Sequence, residues 1–231
     1  MEINESVIHK LIEVVDVGLV KGLGVPEPGK MCVEAAVCYA LNLPYGDKPE
    51  CVAPVIRTYK IALNDKWWSS EAARAKGLRR AAVAQLGSSG INQVAWINLV
   101  VDQIIKQIVP IALRAAAKLV TNPRPLLEAA TRCELEGTEA SAHAAATAAH
   151  AAVTAAAHAA HAAATAAYAA DAAANAADAA ANAAAHAADA AATAAYAAYD
   201  RDNVLSIAAE IGVQACVTLG TEGSKWLYLL D

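Results

Sequence analysis

Residues 139–199 read EASAHAAATAAHAAVTAAAHAAHAAATAAYAADAAANAADAAANAAAHAADAAATAAYAAY, and this stretch decides the fold class. With Ser141 and Val153 set aside, every residue other than alanine falls in one series. It runs Glu139, His143, Thr147, His150, Thr154, His158, His161, Thr165, Tyr168, Asp171, Asn175, Asp178, Asn182, His186, Asp189, Thr193, Tyr196 and Tyr199. Every step is three or four residues, and seventeen steps span 60 residues, 3.53 per step. An α-helix turns once in about 3.6 residues, so the series forms one polar stripe on a helix. On a strand the same residues would scatter over both faces. Alanine has the best helix propensity, and no glycine or proline interrupts the run. The two Asp and two Asn between Asp171 and Asn182 compete for backbone hydrogen bonds and mark the point where a break is expected, if there is one.

Length gives the repeat its consequence. Sixty residues at about 1.5 Å each make a rod of about 90 Å. The chain before it, folded compactly, has a radius of gyration of about 14 Å. A straight rod therefore outruns its own body, and its alanine flanks exceed the few hundred Å² of apolar patch that soluble monomers expose. A second copy, a helical partner, a fold-back near Asp171–Asn182 or an unusual ligand is expected to cover them. The step lies near the 3.5 of left-handed coiled coils, with some 11-residue pattern mixed in.

Working outward, the flanks are also helical. Val7, Ile8, Leu11, Ile12, Val15, Leu19 and Val20 predict a helix over 6–23, capped by Asn4 or Ser6. Further helices are predicted over 31–41, 53–63, from Ser69-Ser70-Glu71 to before Gly87, over 91–120, and briefly after Pro125. Pro110 lies inside the fifth and predicts a kink, because it removes a backbone donor and crowds the preceding turn. Residues 204–219 and the tail Trp226–Leu230 complete the chain. The fold class is all-α. The expected organisation is a helical body over 1–137, the alanine-rich helix over 138–200, and a C-terminal helix over 201–231 packing on the body. Abundant alanine without any phenylalanine fits helices in close contact and argues against a sheet.

Charge excludes one class of partner. The net charge is −5, and between Glu139 and Asp200 there are five acids and no Lys or Arg. Elsewhere 18 basic residues face 18 acidic ones, so the body is neutral. No basic stripe is available for nucleic acid. No uninterrupted run of 18 apolar residues includes anything bulkier than alanine, and no membrane span is expected. The N-terminus lacks the basic start and apolar run of a signal peptide. Cys32, Cys38, Cys51, Cys133 and Cys216 are odd in number and contain no CxxC pair, which suits a reducing, cytoplasmic setting.

Few residues suggest chemistry. His158 and His161 could share an ion, but zinc needs three or four convergent ligands and one helix face supplies two. No metal and no cofactor are expected, although a histidine stripe can titrate near neutrality. Cys32 lies at a predicted helix start, where a thiol pKa can fall, but His9 is the only histidine outside the repeat. Trp67-Trp68 reads as a loop anchor or an aromatic binding patch. Gly24-Val-Pro-Glu-Pro-Gly-Lys30 lacks the spacing of a phosphate-binding loop.

Two resemblances follow from quoted residues. The first rests on Met31-Cys-Val-Glu-Ala-Ala-Val-Cys-Tyr-Ala-Leu, Leu43-Pro-Tyr-Gly-Asp-Lys-Pro-Glu-Cys-Val, Leu63-Asn-Asp, Trp68-Ser-Ser and Lys76-Gly-Leu-Arg-Arg-Ala-Ala-Val-Ala-Gln-Leu-Gly87. Together they resemble a group of uncharacterised bacterial and phage proteins that carry alanine-rich triplet repeats after this block. The resemblance covers about residues 29–200 and implies no activity or site residue; a phage origin would imply a role in host interaction. The repeat alone is similar to alanine-rich helical antifreeze proteins, which place threonines at 11-residue spacing. Only Thr154 and Thr165 keep that interval here, and His and Asp fill the stripe.

The functional expectation is a non-enzymatic interaction or scaffold protein, a homo-oligomer or the binder of a helical protein. His150, Thr154, His158, His161, Thr165, Tyr168, Tyr196 and Tyr199 are its candidate partner-binding residues. The alternatives are an ice-binding protein and a cysteine-dependent enzyme.

Overall fold

The computed structural model describes residues 2–120, 122–152 and 201–230, the side chains of 150–152 excepted. Among the described residues it is helical, without strands, as the sequence predicts. The chain divides into two compact units, residues 1–96 with 209–231, and residues 97–208.

The first unit begins with α1 (Glu5–Val17). Asn4 caps it by accepting a hydrogen bond from the Val7 amide at 3.1 Å, satisfying a donor the helix cannot. Ile8, Leu11, Ile12 and Val15 form its buried stripe. The predicted extension to residue 23 does not form, because Gly18 takes φ 140°, a conformation only glycine adopts readily. Leu19 is buried all the same. Helix α2 (Val33–Ala40) follows, then α3 (Pro54–Asn64), with proline in the first turn where no amide partner is lost, and α4 (Glu71–Ala84), capped by Ser70. The α1 helix packs on α2 and α4, and α2 packs on α3.

One residue ties the α1–α2 loop to α3. The Asn64 side chain accepts from the Val33 amide at 3.2 Å and donates to the Val20 carbonyl at 2.9 Å. Arg74 reinforces it by donating to the Asn64 and Leu19 carbonyls at 2.8 and 2.9 Å. The C-terminal 3₁₀ turn (Gly223–Leu230) lies on α4, where the Gly223 amide donates to the Leu86 carbonyl at 2.8 Å. A Cβ at Gly223 would fall 2.0 Å from the Val83 carbonyl oxygen, so only glycine fits there.

Helix α5 (Gln93–Gln103) leads through a π-helical turn (Ile104–Ile108) into α6 (Val109–Ala117). The π-helical turn occupies the segment just before Pro110, where the sequence predicts the disturbance. Its wider Val109 amide to Ile104 carbonyl bond absorbs the register that the proline ring disrupts. By length and hydropathy the run Gln93–Ala117 is apolar enough to cross a bilayer. Half of its most apolar window is buried inside the protein.

In the second unit α6 packs on α7 (Arg124–Glu136), and α8 (Glu139–Ala152) packs on both. Gly137 closes α7 in the left-handed conformation, φ 63°, with its amide bonded to the Cys133 carbonyl. Thr138 and Ser141 then start α8 reciprocally. The Ser141 amide donates to Thr138 Oγ1 at 3.2 Å and the Thr138 amide to Ser141 Oγ at 3.1 Å. Arg114 on α6 grips the Glu134 carboxylate of α7 through both of its terminal nitrogens.

The first fourteen residues of the repeat are thus α-helical. Ala142, Ala145, Ala146 and Ala149 are fully buried, while His143 and Thr147 of the stripe are exposed. Beyond Ala152 the expected single helix and its possible break at Asp171–Asn182 lie outside the described residues. The last helix, α9 (Arg201–Thr218), buries Ala209, Val213 and Cys216 in the first unit and Val204, Leu205 and Ala208 in the second.

Candidate functional site

Two features stand out, each within one unit. The first is a buried polar cluster in unit one. Every residue of α2 except Tyr39 is buried, so Glu34, in its first turn, has nowhere to go but inward. Lys60 of α3 stands one turn after Ile56 and beside Leu63, on the same apolar stripe. The two meet at 3.2 Å, Lys60 Nζ to Glu34 Oε1, with both side chains at 3% exposure or less. Gln85, at the end of α4, donates to the other carboxylate oxygen at 3.2 Å, and its own Oε1 is left without a hydrogen-bond partner.

Burial raises the Glu34 carboxyl above the usual carboxylate range and lowers the Lys60 amine, while their mutual attraction opposes both shifts. Sequence reasoning missed this cluster. A readable signal existed: one acid inside the otherwise uncharged run 31–41, which must be paired if that helix is buried.

Beside Lys60 lies a cavity of about 10 Å³, lined in part by Ile56, Tyr59, Trp96, Gly212 and Cys216. It has room for one water molecule at most, so it takes no organic substrate. Tyr59 and Trp96 meet edge to face at 5.4 Å, and a Cβ at Gly212 would press on Tyr59 at 3.1 Å.

The cysteines are buried and reduced. Desolvation pushes the Cys38, Cys133 and Cys216 thiols up to about 11 and also raises Cys32 and Cys51. Cys32 does cap α2, its sulfur accepting from the Ala35 amide at 3.4 Å, but burial outweighs the helix terminus. In all five, burial works against the thiolate. His9 sits exposed on α1, 3.5 Å from Glu5. Trp67 is exposed beneath the Lys21 ammonium, while Trp68 is buried and donates to the Leu63 carbonyl, so only the second anchors.

The second feature is the outer face of α7. An open groove of about 520 Å³ is lined by Arg124, Leu127, Glu128, Arg132, Leu135 and Glu136, among others. Leu127 is 42% exposed and Leu135 77%. Arg124 pairs with Glu128 at 2.6 Å and Arg132 with Glu136 at 2.9 Å, all on the solvent side.

Of the eight candidate partner-binding residues, Thr154, His158, His161, Thr165, Tyr168, Tyr196 and Tyr199 lie outside the described residues, as does the side chain of His150, whose backbone is part of α8. Among the described residues no group of three or more His, Cys, Asp or Glu is placed to hold a metal ion. No family model, curated protein or solved structure matches the chain.

Proposed function

We propose that the protein is a non-enzymatic helical interaction protein, and that the alanine face of its repeat is the surface that binds a second copy or a helix of a partner. The single observation that supports this reading is the division of α8. Ala142, Ala145, Ala146 and Ala149 are buried where α8 packs on α6 and α7, while the stripe residues Glu139, His143 and Thr147 are exposed. Small side chains let helix axes approach closely, so an alanine face is a packing face. From residue 153 to residue 199 the sequence repeats the same spacing. A role in host interaction would follow if the chain belongs with the phage proteins it resembles.

The experiment is static light scattering of the full chain from about 10 µM to about 1 mM, a range that brackets weak helix pairing. The second arm substitutes Ala160→Glu and Ala167→Glu, each one residue before a stripe position, as Ala142, Ala146 and Ala149 are. A mass that rises with concentration and returns to the monomer value in this variant supports the reading. A strict monomer throughout, with no affinity for amphipathic helices, opposes it.

A further inference from the structure

The outer face of α7 carries a pattern that is complementary to itself. Leu127, Thr131 and Leu135 follow one another at four-residue spacing along the open groove. Glu128, Arg132 and Glu136 flank that line on one side, with Arg124 at its N-terminal end. When two copies of such a helix run antiparallel about a two-fold axis, each flank meets the same flank of the other copy in reverse order. With the axis near Thr131, Leu127 of one copy lies by Leu135 of the other. Glu128 then faces Arg132, and Arg124 faces Glu136. All four charged contacts are between opposite signs.

We propose that the outer face of α7 is a homodimer interface, in which two copies pair antiparallel through Leu127 and Leu135 and exchange their Arg–Glu pairs. The inference rests on the reading of the protein as one that associates through helices, and it assigns pairing with a second copy to α7, which leaves the repeat to a partner's helix. The intrahelical pairs Arg124–Glu128 and Arg132–Glu136 are exposed and contribute little, so they are free to be replaced across the interface. The exposed leucines supply the driving force, since the methyl groups of Leu135 gain cover only from outside the helix.

Size sets the strength. Thirteen helical residues extend about 20 Å, and a strip about 10 Å wide covers far less than the ~1,200 Å² of a stable complex. The dimer is therefore weak and concentration-dependent, with a dissociation constant on the order of 100 µM.

Sedimentation velocity of the full chain tests this through charge reversal. One variant carries Arg124→Glu and Arg132→Glu, the other Glu128→Arg and Glu136→Arg. Helical circular dichroism equal to wild type qualifies each for the comparison. Wild type should dimerise, each variant alone should be monomeric at the same concentration, and an equal mixture should recover the dimer. Leu135→Asp should weaken self-association at least tenfold. A wild-type monomer up to about 1 mM overturns the inference, because that is well above the strength expected for so small an interface. So does a mixture of the two variants that stays monomeric. Self-association that survives Leu135→Asp but is lost with Ala160→Glu and Ala167→Glu assigns the contact to the repeat, which overturns this inference and leaves the earlier reading standing. Loss with Leu135→Asp alone keeps this inference and removes the repeat from the interface. A Leu135→Asp chain that loses helix content as a monomer shows the face is covered from within its own chain, and also overturns it.

Discussion

Replacing Lys60 with methionine isolates the buried ion pair. The lysine side chain is 3% exposed, the Glu34 carboxylate is wholly covered, and Gln85 also donates to that carboxylate. Methionine matches the aliphatic stem and removes the charge. Glu34 is then left as a buried carboxylate without a cation, a change that costs about 3–5 kcal/mol. With a urea dependence of about 2 kcal/mol/M, the unfolding midpoint should fall by about 2 M. The assay is urea unfolding followed by tryptophan fluorescence, with Trp96 buried in the same unit. Glu34→Leu added to Lys60→Met should recover the stability to within about 1 kcal/mol of wild type, because an apolar pair of similar volume avoids desolvating either charge.

The pH dependence has a definite sign. Burial already raises Glu34 above the ordinary carboxyl value of 4.5, and removing Lys60 removes the largest influence lowering it. Between 4.5 and the raised value the folded state holds a proton that the unfolded state has released. Unfolding free energy therefore drops as pH rises through that window. The deficit of the single variant should be small near pH 4.5 and grow toward neutrality. A deficit below about 1 kcal/mol, or one equal at both ends of the window, refutes the burial of this pair, because an exposed pair contributes about that little. A double variant no more stable than the single one does the same.

Further outcomes follow from the packing. In the native protein Ellman's reagent should label less than one thiol on the timescale of seconds, and all five should react after denaturation, since every cysteine is buried. Thr138→Ala removes a cap of α8 and should cost about 1 kcal/mol in urea unfolding, whereas Thr147→Ala, exposed on the same helix, should change stability by less than about 0.5 kcal/mol. Gly223→Ala drives a methyl group into the Val83 carbonyl and should cost about 2–3 kcal/mol, read as a lower thermal midpoint.

The sequence makes the helices legible wherever a cap or a period states them. Asn4 and Ser70 cap the helices expected of them, and Gly137 closes α7 just before the repeat. The π-helical turn is a different matter. Proline at 110 predicts trouble in the preceding turn, but whether the helix bends or widens depends on the neighbours of Ile104, Ile105 and Ile108, all buried. The Glu34–Lys60 pair is equally non-local, because its members are 26 positions apart and meet only when α2 packs on α3. Periodicity in α3 places Lys60 on an apolar face, yet a lysine there can also bend outward, and only the neighbouring helix decides. The short helix predicted after Pro125 carries the leucines Leu126, Leu127 and Leu135, and the sequence alone does not say which of them are covered. In fact Leu126, Ala129, Ala130 and Cys133 form the buried side.

The repeat itself turns on which side of the helix meets protein. Its eight candidate contact residues, from His150 to Tyr199, belong to the polar stripe, whereas His143 and Thr147 of the same stripe are exposed in α8 and Ala142, Ala146 and Ala149 beside them are buried. A methyl face gains little per residue, but it gains it at every turn and without the ordering cost of long side chains. Histidine, threonine and aspartate give up hydration when buried and recover it only with directed partners. The same physics applied after residue 152 assigns contact to the alanines and water to the stripe. Tyr196→Ser and His158→Gln should then leave any self-association through the repeat within twofold of wild type, while Ala160→Glu should weaken it more than tenfold. A reversed order, with the stripe substitutions disruptive and the glutamate tolerated, would mean that the wet face of α8 is no guide to the rest of the repeat.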